Sequence, residues 1–200
     1  MERFPQRVKN RLSCIRYDEN GAYFITICAK GKANLFWRTD SPDTSHVGAA
    51  LRRPPLPNTS DSPDTSPVGA ALRRPPSCLN ARGIAIMNEL AKFDEIYQGI
   101  ITVDHFTVMP NHVHLLLSIH PEKVGGRRNA APTISSVINQ FKGSVTKAVG
   151  FSCWQKSFHD HVIRSENEYR KIWEYIDNNP YKWQEDRYYC PDAAPFLMQF

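Results

Sequence analysis

The sequence predicts a single α+β domain spanning residues 1–200 and built on an antiparallel sheet. Three observations carry that prediction. Two strand-like runs, GIITVDHFTVM (99–109) and HVHLLLSI (112–119), are separated only by Pro110-Asn111. Segments with apolar residues at helical spacing lie on both sides of this pair, and a further β-branched or aromatic run stands beyond each of them.

Taken in order, YFITICAK (23–30) is compact, aromatic and β-branched, as a buried strand requires. Residues 79–96 carry Ile84, Met87, Leu90 and Ala91 at helical spacing, and the helix is expected to end near Gly99. The two central runs meet at Pro110-Asn111, residue types suited to a tight hairpin connection. Ile134, Val137, Ile138, Phe141 and Val145 mark another helix, and SFHDHVIR (157–164) another strand. Tyr169, Ile172, Trp173 and Ile176 line a last amphipathic helix that Pro180 stops. Without that last helix the order is βαββαβ, the split βαβ or ferredoxin-like arrangement, with its helices on one face of the sheet.

One segment breaks the alternation. SPDTSHVGAALRRPP (41–55) recurs as SPDTSPVGAALRRPP (62–76), differing only where Pro67 replaces His46. Rich in Pro, Ser, Asp and Gly, the repeats cannot bury enough apolar surface to offset the entropy of ordering, so 39–77 is expected to be a disordered insert. The alternative is a basic arm presenting Arg52, Arg53, Arg73 and Arg74 to an anionic partner.

The formal charge of +5 is compatible with nucleic acid, because Lys and Arg beside phosphates release condensed counterions. Five scattered cysteines form no C-x-x-C pair, which argues against a zinc knuckle or a disulfide framework and for a reducing cytoplasm. No apolar run is long enough to span a membrane.

The chemistry is concentrated in two places. On a strand alternate side chains share a face, so His112 and His114 project together while Val113 turns to the core. Two polar rings on an otherwise apolar strand need a partner such as a metal ion or a phosphate. In the last helix Tyr175 falls roughly 110° from the centre of the apolar stripe, with Asn179 one turn on and near the same side. Tyr169 sits on the stripe and reads as a packing residue. Pro180 is expected to disfavour helical geometry at Asn179. His159 and His161 form a second, rival H-x-H, while His105 and His120 belong to no pattern.

VMPNHVHLLL, a helix containing QFKGSVTK, and then SFHDHVIRSENEYRKIWEYIDNNP together resemble the single-tyrosine transposases of the histidine–hydrophobic–histidine superfamily. The likeness is greatest to the REP-associated tyrosine transposases, with their tyrosine–Ile–x–x–Asn–Pro ending, and covers about 23–37 and 79–183. It implies a metal-dependent single-stranded DNA endonuclease and strand transferase acting at DNA hairpins. His112, His114 and Asn179 would bind Mg²⁺ or Mn²⁺, and Tyr175 would form a 5′-phosphotyrosine. A monomer or a homodimer is compatible with the resemblance. Lys142, Lys147 and Arg164 lie off the apolar faces and are candidates for phosphate contacts. Two other readings are a hairpin-binding protein that has lost catalysis and a metal-dependent RNA phosphodiesterase that needs no tyrosine.

Overall fold

The computed structural model describes residues 21–38, 78–120 and 132–190. The repeat segment 39–77 lies outside them. Strands β1 (Gly21–Cys28), β2 (Ile101–Val108), β3 (His112–Ile119) and β4 (His159–Ile163) form one sheet in the order β2-β3-β1-β4. Every neighbouring pair is antiparallel. Helices α1 (Ala81–Ala91) and α2 (Phe93–Tyr97) precede β2, α3 (Ile134–Val149) follows β3, and α4 (Glu166–Asn178) follows β4. No described helix is long and apolar enough to cross a membrane.

The α+β class and the antiparallel sheet are as the sequence predicts, with helices on both sides. Val113, Leu115, Leu117 and Ile119 of β3 pack with Tyr23, Ile25 and Ile27 of β1, and α1 and α3 cover them through Ile86, Leu90, Val137, Ile138 and Phe141. On the other face Leu116 and Ile163 meet Trp173 and Ile176 of α4. The central strands are therefore covered on both faces, which is why β3 is buried along nearly its whole length.

Two details of the first helical region differ from expectation. The helix breaks at Lys92, whose amide turns back to the carbonyls of Glu89 and Leu90, and a second short helix then buries Phe93 and Tyr97. The buried face of α1 is Gly83, Ile86, Met87 and Leu90, so Ile84 is turned outward and 39% exposed. The phase is set by Asn80. Its Oδ1 accepts from the amides of Arg82 (2.9 Å) and Gly83 (3.1 Å), an N-cap, while its Nδ2 donates to the carbonyls of Leu35 and Trp37. This ties the first turn against the segment after β1, where only a residue without Cβ fits.

A β-bulge in β2 serves the opposite face. The pairing with β3 shifts between Val103 and His105, so Val103 lies opposite Leu117 and His105 opposite Leu116. The extra residue lets both Asp104 and His105 reach α4. Asp104 accepts from Tyr169 Oη (3.1 Å) and, by a short bond, from the Ser118 hydroxyl. His105 is buried, stacks on Trp173 with ring centroids 4.2 Å apart, and meets Asp177 at 2.7 Å. The α4 N-terminus is capped by Ser165, which accepts from the Glu168 amide, while Glu168 in turn accepts from the Arg164 amide. These contacts hold α4 to the sheet at both ends and set its rotation.

A Cβ at Gly83 would lie 2.5 Å from the Phe36 carbonyl oxygen and 2.9 Å from Leu79 Cδ2. Gly83→Ala should therefore destabilise the protein by about 1–3 kcal/mol despite alanine's better helix propensity. Urea denaturation midpoints of the two proteins check this, and an equal or higher midpoint for the alanine variant would contradict it.

Candidate metal and nucleophile site

The site lies where β3 begins and β1 ends, on the sheet face that α4 covers. His112 pairs in register with Cys28 and His114 with Thr26. Both imidazoles are buried, at 0% and 1% exposure, and their Nε2 atoms are 3.0 Å apart. Lone pairs cannot face each other at that separation, so either one nitrogen carries a proton or a cation lies between them. Adjacent ligands about 2.1 Å from one ion are separated by about 3 Å, so the spacing suits a shared ion.

The His112 tautomer follows from the residue before it. Asn111 Nδ2 donates to the carbonyls of Lys32 (3.1 Å) and Tyr188 (2.9 Å), which fixes the amide's orientation and aims Oδ1 at His112 Nδ1, 2.9 Å away. An amide oxygen only accepts, so Nδ1 holds the proton and Nε2 presents its lone pair. His114 Nδ1 lies 2.9 Å from Thr26 Oγ1. The hydroxyl can donate or accept, so it serves either tautomer of His114 and leaves Nε2 free to become a ligand.

Burial holds both rings neutral. It lowers the His112 pKa to about 4, partly opposed by the Asp186 carboxylate, and lowers His114 well below the ordinary imidazole value with help from His112 and Arg187. Neutral imidazole is the form that binds metal.

Three groups complete the cluster. Tyr175 Oη is 3.4 Å from His114 Nε2 and donates to Asp186 Oδ2 at 3.2 Å. Asn179 Nδ2 donates to the same oxygen at 2.9 Å. Asp186 Oδ1 accepts from the Tyr188 amide at 2.6 Å. Potential ligand atoms of His112, His114 and Asp186 all lie within 4.8 Å of one another. The rings of Phe24, Tyr175 and Tyr188 surround the imidazoles, with centroids 5.0 Å and 5.3 Å from His114 and 4.7 Å from His112, respectively. Outside them lies a cavity of about 300 Å³ lined by Lys171, Glu174, Tyr175, Asn178, Lys182 and Asp186. Burial, followed by Asp186, pushes the Tyr175 phenol up to about 12, so it is protonated at neutral pH.

Of the residues singled out from the sequence, His112, His114, Tyr175 and Asn179 converge within one chain. Asn179 keeps helical geometry (φ −57°, ψ −44°) despite Pro180, contrary to expectation. Its amide donates to the Tyr175 carbonyl at 3.0 Å, and its own carbonyl accepts from Lys182 at 3.1 Å, so the turn continues through the proline. Tyr169 stays with Asp104, and His161 pairs with Glu168 at 2.7 Å on the surface, outside the His112, His114 and Asp186 group.

The basic residues do not converge on the site. Lys142 Nζ donates to the carbonyls of Gln155, Lys156 and Ser157 and so braces the loop before β4. Lys147 is exposed on α3, over the opposite sheet face, and Arg164 follows the far end of β4. The cations nearer the histidines are Lys32 and Arg187, 5.7 Å and 5.0 Å from the Tyr188 ring centroid. Asp186, Lys32 and Arg187 carry no signature in the sequence. Asp186 belongs to no motif, and only the fold-back of 183–188 brings it to the histidines.

No family model matches the chain. An uncharacterized Haemophilus influenzae protein is 27% identical over 205 residues, covering 90% of this chain and 91% of its own length. Among solved structures, a REP-associated tyrosine transposase bound to a REP hairpin is similar with a TM-score of 0.49 at 17% identity, over 86% of this chain and 74% of that one. A candidate transposase from Deinococcus radiodurans is similar with a TM-score of 0.38 at 15% identity, over 89% and 97% of the two chains.

The buried rings make stability depend on pH. The unfolded chain takes up a proton at His112 near pH 6.5, whereas the folded one resists until about 4. The stabilisation is thus present above pH 6.5 and lost as pH falls through that window, by up to about 1.4 kcal/mol per unit for each such ring. Urea midpoints in EDTA should drop between pH 6.5 and 4, and His112→Gln should flatten the slope. An unchanged slope in that variant would contradict the assignment.

Proposed function

We propose that the protein is a metal-dependent single-stranded DNA endonuclease and strand transferase in which Tyr175 is the nucleophile. The observation that carries the reading is a phenol 3.4 Å from the Nε2 of one member of a buried, neutral histidine pair. A structural histidine pair needs no half-exposed tyrosine beside it, and a nucleophile at this position does need access, which its 40% exposure and the adjoining cavity allow. The family resemblance of the motif sequences supports the same roles.

The donor set fits Mg²⁺ or Mn²⁺, with two imidazole nitrogens, the carboxylate of Asp186 and the amide of Asn179 close by. When bound, a divalent ion draws charge from the non-bridging phosphate oxygens and makes phosphorus more electrophilic. The chain's residues do the rest. Asp186 and His114 orient the phenol, and Phe24, edge-on to Tyr175 with ring centroids 5.9 Å apart, restricts its swing. Tyr175 Oη bonds to phosphorus as the bond to the 3′ oxygen breaks, and the phenolic proton leaves to solvent by way of Asp186. The leaving 3′ oxygen takes a proton from solvent, so the products are a 5′-phosphotyrosine and a free 3′-hydroxyl on the other strand end. Because the phosphodiester energy is retained, attack by another 3′-hydroxyl rejoins DNA without a nucleotide cofactor.

Lys32 and Arg187, over the Tyr188 ring beside His112, are the cations assigned to phosphates near the cut. Lys147 and Arg164 are left for DNA away from the cut, and the carbonyl contacts of Lys142 make it a brace rather than a phosphate ligand.

The test is a DNA hairpin with a single-stranded flank, labelled at its 3′ end and incubated with the full chain and Mg²⁺ or Mn²⁺. A denaturation-resistant protein–DNA adduct is expected, with mass spectrometry placing it on Tyr175. Tyr175→Phe and EDTA should each reduce it by at least about 10³-fold, while Tyr169→Phe should retain it. An adduct on Tyr169 would overturn the assignment. Specific hairpin binding without an adduct on any cognate flank would favour a binding protein, and RNA cleavage surviving Tyr175→Phe would favour a phosphodiesterase.

A further inference from the structure

We propose that the third protein ligand of the metal centre is Asp186, carried by the turn after α4, and that Asn179 on the helix orients that carboxylate instead of binding the ion. The inference rests on the proposed metal centre but concerns which oxygen completes it.

Two observations distinguish the candidates. The Asn179 group facing the cluster is its NH₂, which donates to Asp186 Oδ2 at 2.9 Å, so the amide as placed bonds to the carboxylate and turns its own oxygen away. Turning the amide over would set Oδ1 against the carboxylate oxygen. Asn179 is 4% exposed, and among the described residues its Oδ1 has no hydrogen-bond partner, so the present orientation leaves that oxygen unsatisfied. The bond to Asp186 is the compensating contact. Asp186, in contrast, offers an oxygen within 4.8 Å of both histidine nitrogens.

Charge points the same way. Two neutral imidazoles and a neutral amide would bind a hard divalent cation without offsetting any of its charge, whereas a carboxylate supplies an anionic oxygen. The carboxylate is held from several sides, by the Tyr188 amide on Oδ1 and by Tyr175 and Asn179 on Oδ2. Ligation through one lone pair leaves others for these donors. Tyr175 would then be hydrogen-bonded directly to a ligand of the ion, which couples the nucleophile's position to metal occupancy.

The experiment is Mn²⁺ titration of the full chain without DNA, by calorimetry and by the loss of free-Mn²⁺ electron paramagnetic resonance signal. Asp186→Asn, which retains an acceptor for the Tyr188 amide, should weaken binding by more than about 100-fold and Asn179→Ala by about 10-fold. In the double variant the Asn179 change should cost nothing further, because its effect passes through Asp186. Additive losses, a larger loss in Asn179→Ala, or no Mn²⁺ binding by the unaltered chain would overturn the inference. Should Asp186→Asn fail to fold, Asp186→Glu decides: displacing the carboxylate by one methylene should weaken Mn²⁺ binding by about 10-fold, and unchanged affinity would overturn the assignment. DNA cleavage is read separately. Metal binding through Asp186 without a Tyr175 adduct would sink the proposed function and leave this inference standing, whereas adduct formation with unchanged Mn²⁺ affinity in Asp186→Asn would do the reverse.

Discussion

Two imidazoles are buried at the end of an apolar sheet, and a ring nitrogen removed from water must find a partner or cost roughly 2–7 kcal/mol. Much of the local architecture answers that requirement. Asn111 in the hairpin turn serves His112 Nδ1, Thr26 on the neighbouring strand serves His114 Nδ1, and the two Nε2 atoms face each other. Each partner comes from a different part of the chain, so the pair depends on the register of β1 against β3 and on the turn that joins β2 to β3. A one-residue slip would turn both rings into the opposite core.

The turn is itself held from outside the hairpin. Pro110's carbonyl accepts from the amides of Leu35 and Phe36, and Asn111's carbonyl accepts from Ala29. The segment after β1 therefore clamps the hairpin turn on one side and, through Asn80 and the Phe36 carbonyl, the first turn of α1 on the other. Packing of the helical layer and geometry of the histidine site are coupled through a few backbone hydrogen bonds near residues 29–37.

On the opposite face, α4 is anchored by polar contacts as well as by Trp173 and Ile176. The β2 bulge presents Asp104 to Tyr169 and His105 to Asp177, fixing the helix on either side of its buried tryptophan. With its rotation set, Tyr175 faces His114 although it is not part of the apolar stripe. The sequence 183–188 then folds back over the same end of the sheet, Trp183 and Tyr188 packing with Cys28 and Met109, and delivers Asp186. The nucleophile thus comes from a helix and the carboxylate from a turn, and each is held by its own contacts.

Periodicity alone determined much of this. Alternation on β3 placed His112 and His114 on one face with Val113 on the other, and the helical stripe 169–176 left Tyr175 outside the core with Asn179 one turn away. These are local properties, since side-chain direction follows from backbone period. Tertiary structure decided what has no local signature. Ile84 was exchanged for Gly83 and Ile86 on the buried face because Asn80 and the Phe36 carbonyl set the helix phase, and Pro180 did not turn Asn179 away because the following amides extend the turn. Lys142 was drawn from solvent by three loop carbonyls. Asp186 lies in an unpatterned stretch and meets His112 only across 74 residues of sequence. Such a contact depends on long-range packing, and no spacing rule within a helix or strand encodes it.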